Sequence, residues 1–167
     1  MNLQNTTEFE NSVCKTPKIL IIGVGNRMRA DDAIGPMAID RLQASGNLSS
    51  DCLLIDAGEV PENALGKVDE FAPSRVLLID ACDWGGELGE LRIFSTEEII
   101  NLPIRMLSTH GVPLSFWVQM TLMEHPNLNI ELLGIQVGDL TFNNPLTPPV
   151  ASALNRINAF LKQHLAV

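Results

Sequence analysis

Aromatic residues are scarce in this sequence. It has no tyrosine, two tryptophans and six phenylalanines, so aromatic residues make up 5% of the chain against 46% for all hydrophobic residues. The core must therefore be built from Ile, Leu, Val, Met and Ala. An aliphatic core of this kind suits a parallel sheet covered by helices.

Cysteines and long apolar runs are scarce as well. The cysteines, Cys14, Cys52 and Cys82, show no C-x-x-C spacing, which favours a reducing cytoplasm over a disulfide framework. No apolar run approaches the length that spans a membrane. The polar N-terminus lacks the basic start and apolar middle of a signal peptide. We expect a flexible extension over residues 1–17 and a single cytoplasmic domain over residues 18–167.

Basic residues are outnumbered by acidic ones. The chain has 11 Lys and Arg against 20 Asp and Glu, and its formal net charge is -9. This balance argues against nucleic acid and anionic membranes as partners, because both favour basic patches. A chain of 167 residues can bury a core without disulfides, and we expect a monomer.

Short aliphatic runs alternate with segments of helical periodicity along the chain. The predicted strands cover Lys18–Gly25, Cys52–Gly58, Arg75–Cys82, Leu91–Ser95 and Asn129–Val137. The predicted helices begin near Gly35, cover Pro61–Ala72 and Pro113–Glu124, and begin again at Pro148 after a Thr147 cap. This alternation predicts a three-layer α/β sandwich, with a mainly parallel sheet and helices on both faces.

Polar side chains follow the predicted strands, where ligands bind in sheets of this kind. Asp31 and Asp32 follow the first strand, Asp80 lies at the end of the third, and His110 precedes the Pro113 helix. Two carboxylates and one imidazole from separate loops leave open positions on a transition metal. The spacing therefore makes a metal site one of the chemistries open to this edge of the sheet.

Two other chemistries are open at this point. Gly23 and Gly25 begin a dinucleotide-binding pattern, but Met28 occupies the position of the third glycine and the loop carries two acids. Cys82 lies two residues from Asp80, and Ser108 lies two residues from His110. Either spacing is compatible with a nucleophile. Neither lies in a G-x-S-x-G turn, and a small buried hydrophobic residue is the simpler prediction for Cys82.

Taken together, several segments resemble the endopeptidases that mature NiFe hydrogenases. The chain has "GVGNRMRADDAIG", "IDAGEVPENAL", "LLIDACDWGGELGELRIF", "STHGVPL", "LLGIQV" and "LTPPV". Each segment is similar to one of the family's segments, and they follow the family order across nearly the whole chain after residue 17. Two departures leave the hydrogenase subtype open: Asp32 stands where many members have Glu, and Leu88 replaces a frequent proline.

The resemblance implies an aspartic-type endopeptidase that removes the C-terminal extension of a NiFe hydrogenase large-subunit precursor after nickel insertion. The family's nickel-contacting and catalytic positions fall on Asp32, Asp80 and His110. The nickel is expected to come with the substrate, so no tightly bound cofactor is expected. Asp31, Asp56 and Asn26 are second-tier candidates for orienting ligands or contacting the substrate. A docking factor that does not cut, or a small nucleotide-binding enzyme, are the alternatives.

Overall fold

The computed structural model describes residues 17–46, 49–101 and 113–165. These residues form a five-stranded sheet with the strand order β2-β1-β3-β5-β4. The strands are β1 (Ile19–Val24), β2 (Cys52–Gly58), β3 (Arg75–Cys82), β4 (Leu91–Phe94) and β5 (Asn129–Gln136). Four of them are parallel, and β4 pairs antiparallel with β5 at one edge.

The helices cover both faces of the sheet. They are α1 (Ile34–Ser45), α2 (Leu65–Phe71), α3 (Thr96–Asn101), α4 (Leu114–Glu124) and α5 (Pro148–Leu165), and short 3₁₀ turns precede α1 (Ala30–Ala33) and α2 (Pro61–Ala64). One apolar cluster joins the sheet to α1 and α5, and the other joins it to α2, α3 and α4. The predicted three-layer sandwich is confirmed.

The aliphatic runs form strands because both faces of the sheet are covered. All six residues of β1 are buried, and so are all residues of β3 after Arg75. A strand with apolar neighbours on both sides needs a continuous apolar run and not an alternating one. The described chain contains no helix that is long and apolar enough to cross a membrane.

Helix α3 is the described element that the sequence analysis missed. Its N-terminus is a capping box, in which the Glu98 carboxylate accepts a hydrogen bond from Ser95 N at 2.8 Å and Ser95 Oγ accepts one from Glu98 N at 3.3 Å. The hydrogen bond from the Ser95 backbone lowers the pKa of Glu98. The S-x-x-E spacing was the available signal for this helix.

The strand order places a topological switch point between β1 and β3. The chain passes from β1 to β2 on one side of the sheet and then returns to add β3 and β5 on the other side. Loops that leave β1 and β3 therefore diverge, and a crevice opens beyond the carboxyl ends of these two strands. Ligands of open α/β sheets bind at such a crevice.

Candidate functional site

The turn after β1 is tight, and its two ends lie in contact. Gly25 has a φ of 145°, and a Cβ at this position would lie 1.9 Å from the carbonyl oxygen of Asp32. Its amide donates to the carbonyl oxygen of Gly58 at 2.8 Å. A side chain cannot be accommodated here, so the glycine allows the chain to fold back and place Asp32 beside the end of β1.

Asp32 is fully buried at this turn. Its Oδ2 accepts a hydrogen bond from Asn26 N at 2.9 Å, and its own amide donates to the Arg29 carbonyl oxygen at 2.9 Å. The carboxylate is therefore held in one orientation by the backbone of its own loop. The contact comes from the Asn26 backbone, and a role for the Asn26 side chain toward ligand or substrate stays a prediction.

Asp80 lies on β3, beside the turn that carries Asp32. It is fully buried, it pairs with Gly134 of β5, and its Oδ1 accepts a hydrogen bond from Ala81 N at 2.8 Å. The 3₁₀ turn that contains Asp32 contacts β3. The structure thus brings two buried carboxylates, from different segments, to the switch point of the sheet.

The start of α1 fixes this arrangement by direct backbone packing. A Cβ on Gly35 would lie 2.1 Å from the carbonyl oxygen of Val24 and 2.5 Å from that of Ile79. The first turn of α1 therefore rests on the last residues of β1 and on the residue before Asp80. Any side chain at position 35 would lift the helix, and with it the turn bearing Asp32, away from β3.

His110 lies outside the described residues, and so does Ser108. Residues beyond this stretch begin α4, whose first residue, Leu114, is buried in the cluster that also contains Leu78 and Cys82 of β3. Asp80 lies two residues from each of them along the strand, so its side chain is on the same face of the sheet. The assignment of His110 as a ligand stays a prediction.

Asp31 serves the fold and not the crevice. Its buried carboxylate accepts hydrogen bonds from Gly138 N, Asp139 N, Thr147 N and Thr147 Oγ1, at 2.7–3.2 Å. The predicted helix cap Thr147 thus donates its hydroxyl to Asp31. Four donors on one carboxylate join the turn after β1 to the segment between β5 and α5.

Asp56 is part of an ion-pair group on the surface. Arg27 donates to Asp56 Oδ2 at 2.8 Å and to both carboxylate oxygens of Asp40 at 2.6 and 2.8 Å. Hydrogen bonds with Asp40 and then Asp56 raise the pKa of Arg27, and the bond from Arg27 lowers the pKa of Asp40. This group ties the turn after β1 to β2 and α1, so Asp56 is engaged there.

The amides of the turn are not arranged for a phosphate. Most of them donate within the protein, to Asp32, to the Asn26 side chain, or to the carbonyl groups of Asn26, Asp139 and Arg29. A phosphate-binding loop needs amides that point at the ligand. The geometry therefore disfavours the nucleotide alternative.

Cys82 is a core residue. Its side chain is 2% exposed, and its thiol lies 3.7 Å from the carbonyl oxygen of Asp80. Burial, followed by the nearby Asp80 charge, raises the pKa of Cys82 well above its ordinary value. A thiol in this state is not activated as a nucleophile, so the structure favours the small-hydrophobe prediction.

A second group of potential metal ligands lies at the opposite end of the strands, near the amino ends of β3 and β5. Within the described residues, Asp69, Glu124 and His125 can bring one ligand atom each to within 4.8 Å of the others. His125 Nε2 lies 2.9 Å from Asp69 Oδ1, so the two form a hydrogen-bonded pair. Asp69 and Glu124 are exposed, and exposed acidic groups of this kind are common without a bound metal.

Known hydrogenase maturation proteases resemble this chain in sequence and in fold. The family model described as hydrogenase maturation protease matches residues 36–163, a range that contains Asp80 and His110 and begins after Asp32. The crystal structure of a [NiFe] hydrogenase maturation protease, HycI, from Thermococcus kodakarensis KOD1 superposes with a TM-score of 0.78 at 28% identity, covering 92% of this chain and 96% of that one. The solution structure of the endopeptidase HycI from Escherichia coli gives 0.74 at 31% identity, covering 87% and 90%.

Curated relatives agree with these structures. The hydrogenase 3 maturation protease of Escherichia coli K12 is 30% identical over 138 residues, which cover 83% of this chain and 85% of the relative. A putative hydrogenase maturation protease of Methanocaldococcus jannaschii is 34% identical over 129 residues, covering 74% and 73%. The resemblance inferred from the ordered motifs is confirmed: the chain belongs to the hydrogenase maturation protease family.

Proposed function

We propose that this protein is the endopeptidase that removes the C-terminal extension from the large-subunit precursor of a NiFe hydrogenase, in the cytoplasm and after nickel insertion. Family membership supplies the class of reaction. The observation that carries the proposal is the pair of buried carboxylates, Asp32 and Asp80, at the switch point of the sheet.

Nickel enters this scheme as part of the substrate. Soft thiolates of the precursor hold the metal, and the harder oxygens of Asp32 and Asp80, with the imidazole of His110, complete its coordination. A precursor without nickel cannot make these contacts and is not cut. The metal thereby acts as a checkpoint on maturation, and the protease needs no tightly bound cofactor of its own.

The protease residues position the loaded metal against the peptide bond. Nickel held by the substrate either polarises the scissile carbonyl or activates a water molecule as a Lewis acid. Burial of Asp32 and Asp80 strengthens their interaction with a cation. The Asn26 amide keeps Asp32 oriented, which limits the reorganisation required when the substrate binds.

The test is the intact mass of the precursor, nickel-loaded and nickel-free, after incubation with the protease. We expect loss of a C-terminal peptide from the loaded form alone. Asp32→Asn, Asp80→Asn and His110→Ala should each slow this loss by at least about tenfold, since a direct ligand matters at least as much as the groups that orient ligands. Asp69→Asn is the matched control, because Asp69 is an exposed acid at the opposite end of the strands from Asp32 and Asp80.

Urea denaturation of each variant separates loss of chemistry from loss of fold. Normal processing by all three site variants would refute the assignment of the site. A stable complex of wild-type protein with loaded precursor, without any change of mass, would instead establish the docking factor. Equal cleavage of loaded and unloaded precursor would remove the nickel checkpoint while leaving the peptidase activity in place.

A further inference from the structure

A groove adjoins the turn that carries Asp32. It has a volume of about 440 Å³ and lies between α1, the start of α5 and the segment before α5. Its walls include Met37, Leu146 and Leu154, with Ala30 and Ala33 from the site turn itself. The lining is therefore mainly apolar, and one end of the groove lies against the proposed catalytic loop.

A single arginine at this groove is available to an anion. Arg41 donates to the side chain of Asn155 across the groove, and in the described part of the chain it forms no ion pair. Arg27, which also lines the groove, is held by Asp40 and Asp56. A guanidinium group has five donors, so Arg41 keeps most of its capacity for a carboxylate in a protein whose net charge is -9.

Two exposed apolar side chains lie between the site turn and the groove. Met28 and Phe142 are 53% and 55% exposed, and the amide of Asn143, next to Phe142, donates to the Met28 carbonyl oxygen at 2.7 Å. The chain then continues through Asn144 and Pro145 into the groove wall. These two side chains offer apolar contacts to a peptide that passes from the site turn into the groove.

We propose that this groove binds the C-terminal extension of the precursor, with the terminal carboxylate of the extension on Arg41. The inference rests on the proposed function, since the extension is the part of the substrate beyond the scissile bond and ends in a free carboxylate. Apolar side chains of the extension pack on Met37 and Leu146. An acidic side chain of the peptide has the same chemistry as its terminus, and the two sources are separated below.

The first experiment measures binding of a fluorescent synthetic peptide with the sequence of the extension, by fluorescence polarisation. Arg41→Glu and Arg41→Gln should weaken binding about tenfold or more, since each loses a charge-assisted hydrogen bond. Met37→Gln should weaken it through the apolar wall. Arg92→Gln is the matched control, because Arg92 is an exposed arginine on β4 that pairs with Glu98 away from the groove.

Amidation of the peptide's C-terminus identifies the carboxylate. We expect the amide to bind about as weakly to wild-type protein as the free acid binds to Arg41→Gln. Tight binding of the amide would overturn the terminal-carboxylate assignment and transfer the contact to an acidic side chain. Wild-type affinity in all Arg41 and Met37 variants would overturn the groove itself.

Processing of the whole nickel-loaded precursor tests the inference separately from the proposed function. Arg41→Glu should raise KM about tenfold and leave kcat unchanged, because it removes binding energy remote from the reacting bond. Processing with an unchanged KM would refute the groove while the peptidase activity stands. If wild-type protein processes nothing, the proposed function fails, and the peptide titration still decides the groove.

Sedimentation of a dimer that Arg41→Glu dissociates would assign the groove to a second copy of this chain and overturn the proposal.

Discussion

Two adjacent aspartates in this protein have different surroundings. Asp31 accepts hydrogen bonds from the segment between β5 and α5, whereas Asp32 accepts one from its own loop, at the switch point. The sequence placed both acids after the first strand and could not separate their roles. The separation depends on Gly138 and Thr147, more than a hundred residues away, and no local pattern marks that pairing.

Removal of the Asp31 carboxylate should destabilise the fold. Asp31→Ala leaves the partly buried amides of Gly138, Asp139 and Thr147 without their acceptor, and an orphaned group costs up to about 1–3 kcal/mol, non-additively and less where water reaches the amide. We expect the free energy of unfolding in urea to fall by at least about 2 kcal/mol. Asp40→Ala, which breaks an exposed ion pair, should cost less than about 1 kcal/mol. Equal losses would show that the four hydrogen bonds contribute little.

Cys82 should make stability depend on alkaline pH. Burial raises its pKa in the folded protein, whereas an unfolded thiol ionises near about pH 8.5. Above that pH the folded state binds more protons than the unfolded state. The free energy of unfolding should therefore fall as pH rises, by up to about 1.4 kcal/mol per pH unit for this thiol.

Urea denaturation between neutral pH and about pH 10 measures this slope, because the window spans the ordinary thiol pKa. Cys82→Ala should flatten it. Cys52→Ala should flatten it less, since Cys52 is only partly buried and its pKa, raised by burial and then by Asp51, moves less far. An unchanged slope in Cys82→Ala would mean that the thiol ionises as easily in the folded protein as in the unfolded chain.

At the level of elements, the aliphatic runs were the strongest signal. The bounds of β2 and β3 match the predicted Cys52–Gly58 and Arg75–Cys82, and α1 begins at Ile34, one residue before the predicted start. Each strand has a short apolar run that leads to an aspartate, Asp56 or Asp80, with polar or turn residues close behind, which leaves little freedom in placing them. Helix α3 lacked a long apolar stripe, so its capping box was the only local cue.

The contact between α1 and the sheet should be intolerant of any side chain at Gly35. Gly35→Ala places a Cβ against the carbonyl groups of Val24 and Ile79, so the backbone must shift, at a cost of about 3 kcal/mol or more. Processing should fall with it, because the same turn positions Asp32. Circular dichroism and urea denaturation measure the loss of stability, and the precursor assay measures the loss of processing.

Gly66→Ala is the control for this substitution. Gly66 lies in α2, and a Cβ there meets nothing within 4 Å. Alanine should stabilise this helix by about 0.5–1 kcal/mol, since glycine loses more backbone entropy on folding. If both substitutions destabilised the protein equally, the cost would belong to the loss of glycine in a helix and not to packing against β1 and β3.

For the whole molecule, the alternation of strands and helices was enough to predict the sandwich. It did not fix the strand order, because that order is set by which helices cover which face of the sheet. The predicted boundary near residue 17 stays a prediction, and Lys18 lies just inside the predicted domain. The Lys18 carbonyl oxygen accepts hydrogen bonds from Ser74 N at 2.9 Å and Arg75 N at 3.4 Å, and its Nζ donates to the Phe71 carbonyl oxygen at 3.1 Å.

The folded unit should therefore be insensitive to removal of everything before Pro17. A variant lacking residues 1–16 should unfold in urea within about 0.5 kcal/mol of the full chain and should process the precursor at the same rate. Removal through Ile19 also deletes the Lys18 contacts and a core residue that is 2% exposed, which should cost about 3 kcal/mol or more. A large loss in the shorter deletion would place residues 1–16 within the folded unit, since nothing else differs between that variant and the full chain.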